Sequence, residues 1–236
     1  MREPVVFLPG MMCDARVFGP QLTALSKDHA VTVAPITKGE RIEEIASGIL
    51  DLLPRRFALV GLSLGGIVAM EILRRAPDRV SRIALMDTNP LPETPQSAAD
   101  LEPLIIKARS GHLRDVVQAM LGANTLAPGS GRAEVIALVE DMADHIGAEV
   151  IVRQVRAMQR RRDYQAELRR CKVPALVACG EHDGLTPIKR HSFMAGLIPY
   201  AELIVIEGAG HLPTLERPEA TTDALRAWLK QPLVLQ

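Results

Sequence analysis

The stretch Gly61-Leu62-Ser63-Leu64-Gly65 puts a hydroxyl between two glycines, at the junction of an apolar run and a helix-period run. The apolar run over 56–62 reads as a strand, and 65–75 as a helix closed before Pro77. A serine on such a sharp strand-to-helix turn has an exposed hydroxyl, and the helix N-terminus beside it favours developing negative charge. A plain strand-to-helix turn is the alternative reading. A serine hydroxyl is a weak nucleophile near neutral pH and needs a base, a carboxylate to orient that base, and donors for an oxyanion.

Of the six histidines, His211 is best placed to be the base. It closes Glu207-Gly208-Ala209-Gly210-His211, directly after an apolar strand at 203–206, and two glycines let that loop bend back over the sheet. A solvated loop histidine is the plainer alternative. His29, His112, His145 and His191 fall in helical or connecting positions and read as structural or solvated. Two carboxylates compete for the orienting role. Asp183 ends Gly180-Glu181-His182-Asp183 after the strand at 173–179. Asp87 ends the strand at 80–86, before Thr88-Asn89-Pro90, where a carboxylate can serve equally by bonding backbone amides. For the oxyanion, the Leu64 N–H lies at a helix N-terminus. The Met11 N–H lies in the loop Leu8-Pro9-Gly10-Met11-Met12 after the first strand.

These residues need a scaffold that brings strand ends together. Short apolar runs near 4–8, 30–34, 56–61, 81–86, 174–179 and 202–206 alternate with helix-period segments at 17–25, 42–53, 65–75, 188–198 and 218–229. Alternating strands and helices predict a parallel sheet covered on both faces, and near-continuous aliphatic strands fit that burial. The rhythm breaks between Pro90 and Arg170. Pro90, Pro92 and Pro95 open a segment without strands, and apolar residues then recur at helical spacing in four sets from Leu101 to Met158. Three or four inserted helices are expected there, as a cap over the carboxyl edge of the sheet.

Composition removes several classes. The 236 residues carry 28 Lys plus Arg against 28 Asp plus Glu, so bulk charge points neither to nucleic acid nor to an anionic membrane. No apolar run approaches the roughly 18 residues of a membrane span, and Val5-Val6-Phe7-Leu8 is too short for a signal-peptide core. Three cysteines, Cys13, Cys171 and Cys179, form no close pair, which argues against a disulfide framework and a structural zinc site. The expectation is a soluble cytoplasmic protein acting on a small molecule, with no nucleic-acid or membrane partner.

With these elements together, the chain resembles the α/β-hydrolase superfamily in its capped serine-hydrolase form. The resemblance rests on Leu8-Pro9-Gly10-Met11, Gly61-Leu62-Ser63-Leu64-Gly65-Gly66, Gly180-Glu181-His182-Asp183 and Gly208-Ala209-Gly210-His211, in the chain order Ser, Asp, His typical of that family. It implies an α/β-hydrolase fold with a mostly parallel sheet trimmed to six strands, in the spatial order second, first, third, fourth, fifth, sixth. It implies a core formed by 1–90 and 171–236, and a helical cap at 91–170. It assigns Ser63, Asp183 and His211 as catalytic residues and the Met11 and Leu64 amides as the oxyanion hole, with no cofactor and no metal. Many members carry His-Gly where this chain has Pro9-Gly10. The implied reaction is hydrolysis of a small ester, thioester or related carbonyl compound through an acyl-enzyme. A triad-dependent lyase, C–C hydrolase or acyltransferase, and a non-catalytic receptor on the same fold, remain alternatives.

Two features bear on substrate. Arg153, Arg156, Arg160, Arg161, Arg162, Arg169 and Arg170 crowd one stretch and read either as a solvated face or as a clamp for a substrate carboxylate. Met11, Met12, Met120, Met142 and Met158 read either as core filler or as the wall of an adaptable acyl pocket. Cys13 reads as a small buried hydrophobe near the oxyanion loop.

Overall fold

The computed structural model describes residues 3–233; residues 1–2 and 234–236, the outer ends of the two expected core segments, lie outside it. Six strands, β1 (Val5–Leu8), β2 (Val31–Val33), β3 (Phe57–Leu62), β4 (Val80–Met86), β5 (Ala175–Gly180) and β6 (Ala201–Ile206), form one sheet. Their order is β2-β1-β3-β4-β5-β6, and every neighbouring pair is parallel. Every residue of β1, β3, β4 and β5 is buried, as expected of strands covered on both faces.

The register aligns the strand tips. Leu8 pairs with Gly61, Leu62 with Met86, Met86 with Ala178, and Gly180 with Ile206. The loops that follow β1, β3, β4, β5 and β6 therefore leave the sheet side by side at its carboxyl edge, where open α/β sheets bind ligands.

The strand order and the right-handed rule for parallel crossovers together put α2 (Ile42–Leu50), α3 (Leu64–Arg75) and α10 (Ile188–Leu197) on one face and α1 (Gly19–Leu25) on the other. The amphipathic helix α12 (Pro218–Leu229) packs on α1 and the β5–β6 end of the sheet, burying Leu225 and Trp228. Burying one such side chain stabilises the fold by about 1.5–3 kcal/mol. Two boundaries differ from expectation. The helix expected over 17–25 splits into a 3-10 turn (Ala15–Phe18) and α1, with Pro20 setting the new start. Helix α2 ends at Leu50, and the exposed Leu52 lies beyond it.

Between β4 and β5 run α4 (Pro95–Asp100), α5 (Glu102–Arg109), α6 (Leu113–Met120), α7 (Arg132–Ile146), α8 (Ala148–Gln159) and α9 (Gln165–Arg169). The four apolar sets seen in the sequence are α5 to α8. Helix α4 buries none of its side chains and is held instead by a capping box between Thr94 and Ser97. Helix α9 buries Glu167 and Leu168 within five residues. Neither presents an apolar stripe long enough to be read as a period.

Candidate active site

Ser63 lies between β3 and α3 at φ 53°, ψ −117°. This is a backbone region that L-residues avoid, and strain of this kind clusters at functional sites. The flanking glycines make the turn possible. A Cβ on Gly61 would come within 2.4 Å of the Gly65 carbonyl, and one on Gly65 within 2.1 Å of the Leu8 carbonyl. The turn is also tied to β4: the Ser63 N–H donates to the Met86 carbonyl at 2.8 Å, and the Thr88 hydroxyl donates to the Ser63 carbonyl at 2.8 Å.

The structure brings together the three residues singled out in the sequence. Ser63 Oγ lies 2.9 Å from His211 Nε2, and His211 Nδ1 lies 2.9 Å from Asp183 Oδ2. A proton on Nδ1, donated to Asp183, leaves Nε2 free to accept the serine proton. Asp183 also accepts from the Leu185 N–H at 2.9 Å, the Thr186 N–H at 3.0 Å and the Thr186 hydroxyl at 2.5 Å. Burial opposes its ionisation. The adjacent His211 and the bonds from Thr186 outweigh burial and hold the carboxyl well below the usual carboxylate range.

Asp87 takes a different place. It is fully buried at φ 45°, its Oδ1 accepts the Gly180 N–H at 2.9 Å, and its Oδ2 has no donor. Burial first, and the charge of Asp183 second, push the Asp87 pKa well above the ordinary carboxylate value. Next to it, the Thr88 N–H donates to His191 Nε2 at 3.1 Å. Burial lowers the His191 pKa to about 4, so its ring is neutral and structural, as expected. Asp87, Asp183 and His211 offer hetero-atoms within 4.8 Å of one another. His211 and Asp183 are already committed to each other and to Ser63 and Thr186, so we assign this group no metal.

The His211 loop is held by a residue that sequence reasoning missed. One oxygen of Glu216, in α11 (Pro213–Glu216), accepts the Gly210 N–H at 3.0 Å and the Ala127 N–H at 2.7 Å; the other accepts the Leu212 N–H at 2.9 Å. The His211 N–H itself donates to the Thr125 carbonyl at 2.7 Å, from the inserted segment. The available signal was a carboxylate one short helix downstream of the histidine.

On the opposite side of Ser63, Gly10 to Cys13 form a turn closed by Cys13 N–H to Gly10 carbonyl at 3.3 Å. Among the described residues, neither the Met11 N–H nor the Leu64 N–H has an acceptor. Both are therefore free to meet an oxyanion. Met12 sits at φ 64°, a left-handed conformation that costs a side-chain-bearing residue roughly 1–2 kcal/mol. Its N–H donates to Gln154 Oε1 on α8 at 3.0 Å, another partner that the sequence did not announce.

A small cleft of about 20 Å³, space for about one water, joins Ser63 and His211 to Met11, Met12, Met120, Leu121, Val139 and Leu185. Larger hollows lie away from Ser63, one of about 850 Å³ beside Arg74 and Arg170. Two of the five expected methionines are not in the cleft wall: Met142 is fully buried and its Sδ accepts the Asp14 N–H at 3.4 Å, and Met158 packs against the core. Cys13 lines the cleft as a neutral thiol, its pKa pushed up to about 12 by burial and then by Asp14. No arginine lines the cleft. Arg153 pairs with Glu149, Arg160 with Glu40, Arg161 with Glu93, and Arg162 and Arg170 with Glu167.

The sequence profile of the alpha/beta hydrolase family matches residues 5–224. A pimeloyl-[acyl-carrier protein] methyl ester esterase of Yersinia enterocolitica is 27% identical over 195 residues, 80% of this chain and 76% of that protein. A thermophilic esterase from Thermogutta terrifontis superposes with TM-score 0.88 at 26% identity, over 97% of this chain and 89% of that one. An enol-lactonase from Burkholderia xenovorans superposes with TM-score 0.84 at 26% identity, over 98% and 93%. Among the described residues no helix is long and apolar enough to cross a membrane.

Proposed function

Since the chain belongs to the alpha/beta hydrolase family, we propose that it is a serine ester hydrolase acting through Ser63, His211 and Asp183 by way of an acyl-enzyme. The observation that carries this reading is the unbroken hydrogen-bond chain from Ser63 Oγ through His211 to Asp183, with two unpartnered amides beside the hydroxyl. Ser63 Oγ attacks the ester carbonyl while His211 Nε2 takes its proton. The Met11 and Leu64 N–H groups receive the oxyanion, and His211 returns the proton to the departing alcohol. A water activated by His211 then releases the acid. Asp183 holds the tautomer that makes both proton transfers possible. No cofactor enters any step.

The cleft wall of Met, Leu and Val favours a compact, uncharged acyl group. No arginine lines the cleft, and five of the seven in 153–170 pair with acids elsewhere, so a carboxylate clamp has no support at this site. The similar proteins are named for a methyl ester, esters and an enol-lactone, and their shared feature is an ester carbonyl. Residues 91–170 act as a cap on a core of 1–90 and 171–236, and must move to admit a substrate larger than the present cleft.

The test combines labelling and turnover. A fluorophosphonate labels Ser63, and Ser63→Ala abolishes both labelling and hydrolysis of short-chain p-nitrophenyl esters, a loss of roughly 10⁴ or more, with the fold intact. Turnover within a few-fold of wild type in Ser63→Ala overturns the mechanism.

A further inference from the structure

The turn that carries the Met11 N–H is held against the preference of its own sequence. It is closed by the Cys13-to-Gly10 bond, and of its two central residues only Met12 has positive φ. That is a type II turn, which calls for Gly or Asn at the second central position. Rotation of Met12 out of positive φ would relieve it and shift the backbone of the turn, the neighbouring Met11 N–H included. An oxyanion donor is useful only when its place is fixed to within a few tenths of an ångström.

Gln154 opposes that rotation. It is only 1% exposed, on α8 of the inserted helices. Its Oε1 accepts the Met12 N–H at 3.0 Å, and its Nε2 donates to the Ile36 carbonyl at 3.2 Å, so both ends of the amide are held. That rotation would take the Met12 N–H away from Oε1 and leave both groups unpaired in a buried setting where neither finds water. The far end of the loop is tied to the same insertion: the Asp14 N–H meets Met142 Sδ on α7, and Arg16 pairs with Asp141.

We propose that Gln154 is a positioning residue of the oxyanion site, locking the Gly10–Cys13 turn from the inserted helices so that the Met11 N–H is correctly set only while α8 is seated. The proposal rests on the serine-hydrolase reading and deepens it. The insertion then sets transition-state geometry besides walling the cleft, and lifting α8 releases the turn.

Gln154→Met keeps the shape and removes the acceptor. The expected result is a kcat about 30-fold lower with KM within 3-fold, and an equal rise in the Ki of an alkyl trifluoromethyl ketone, whose adduct places an oxyanion on the same donors. Loss of packing alone would not move kcat and that Ki together. Gln154→Glu, protonated by burial and so able to accept from Met12 and donate to Ile36, recovers most of the lost kcat. If Gln154→Met does not fold, Gln154→Asn, one methylene too short to reach Met12, carries the test with the same expected loss. A kcat and Ki within 3-fold of wild type in a folded Gln154→Met or Gln154→Asn overturns the proposal, as does a Gln154→Glu no better than Gln154→Met. Ser63→Ala run alongside separates the two readings. Turnover surviving there overturns the serine mechanism, whereas an inactive Ser63→Ala with an unaffected Gln154 variant overturns the clamp alone.

Discussion

Strands β4 and β5 lie side by side, and each is followed by a buried aspartate within 4.8 Å of the same histidine. Asp183 accepts from Leu185, twice from Thr186 and from His211, and is ionised. Asp87 accepts from Gly180 alone, and burial and then the charge of Asp183 push its pKa well up. Two carboxylates this close cannot both carry charge in a buried site, and the one with more donors keeps it. Residue type and strand-end position are shared; the number of hydrogen bonds assigns the roles.

Substitution at Asp183 has the largest expected effect. Asp183→Asn removes the charge and can stabilise the wrong His211 tautomer, so kcat falls by roughly 10³–10⁴ in ester hydrolysis. The reverse outcome, an active Asp183→Asn beside a crippled Asp87→Asn, breaks the comparison and moves the orienting role to Asp87. Asp87→Leu is next. It strands the Gly180 N–H, for a loss of about 1–3 kcal/mol in urea unfolding, with activity following only through folding. Asp87→Asn is milder: the amide still accepts from Gly180, donates toward Asp183 and tolerates positive φ. Its kcat stays within about 5-fold of wild type, where a charged Asp87 would show a far larger change.

The smallest effect concerns the neutral ring behind the β4 tip. His191 has a folded pKa of about 4, below its ordinary value of 6.5. Between those values the unfolded chain binds a proton that the folded protein does not. Stability therefore falls as pH drops from about 6.5 towards 4, by about 1.4 kcal/mol per pH unit at most from this residue. His191→Gln flattens that part of the urea-midpoint profile between pH 7 and 5. An unchanged slope shows that His191 is not kept neutral by its surroundings.

The residues that read well from the sequence and those that did not differ in kind. The strands announced themselves as aliphatic runs, and their spatial order matched the resemblance. Ser63, Asp183 and His211 were visible because each sits beside glycines at a strand end. Gln154 and Thr88 were not, since each acts on a main-chain group remote in sequence: Gln154 bonds a residue 142 positions away. Its one local trace is a polar side chain on the buried stripe of α8, between Ile151 and Val155. Glu216 joins the local His211 loop to the remote Ala127 N–H, and nothing along the chain pairs those two segments. Helices α4 and α9 escaped because a cap and a five-residue turn leave no period to read. The methionines and arginines of the insertion were ambiguous because a helical stripe says that a side chain is buried or exposed, without saying against what.

Local sterics and periodicity are properties of neighbours along the chain. The six strands, the glycine-flanked serine turn and the histidine loop could therefore be read from the order of residues alone. The ionisation of two aspartates and the conformation of the oxyanion turn are not of that kind. They depend on how deeply a group is buried and on donors and acceptors supplied by distant segments. Both are set only when β4, β5, the His211 loop and α8 have packed together.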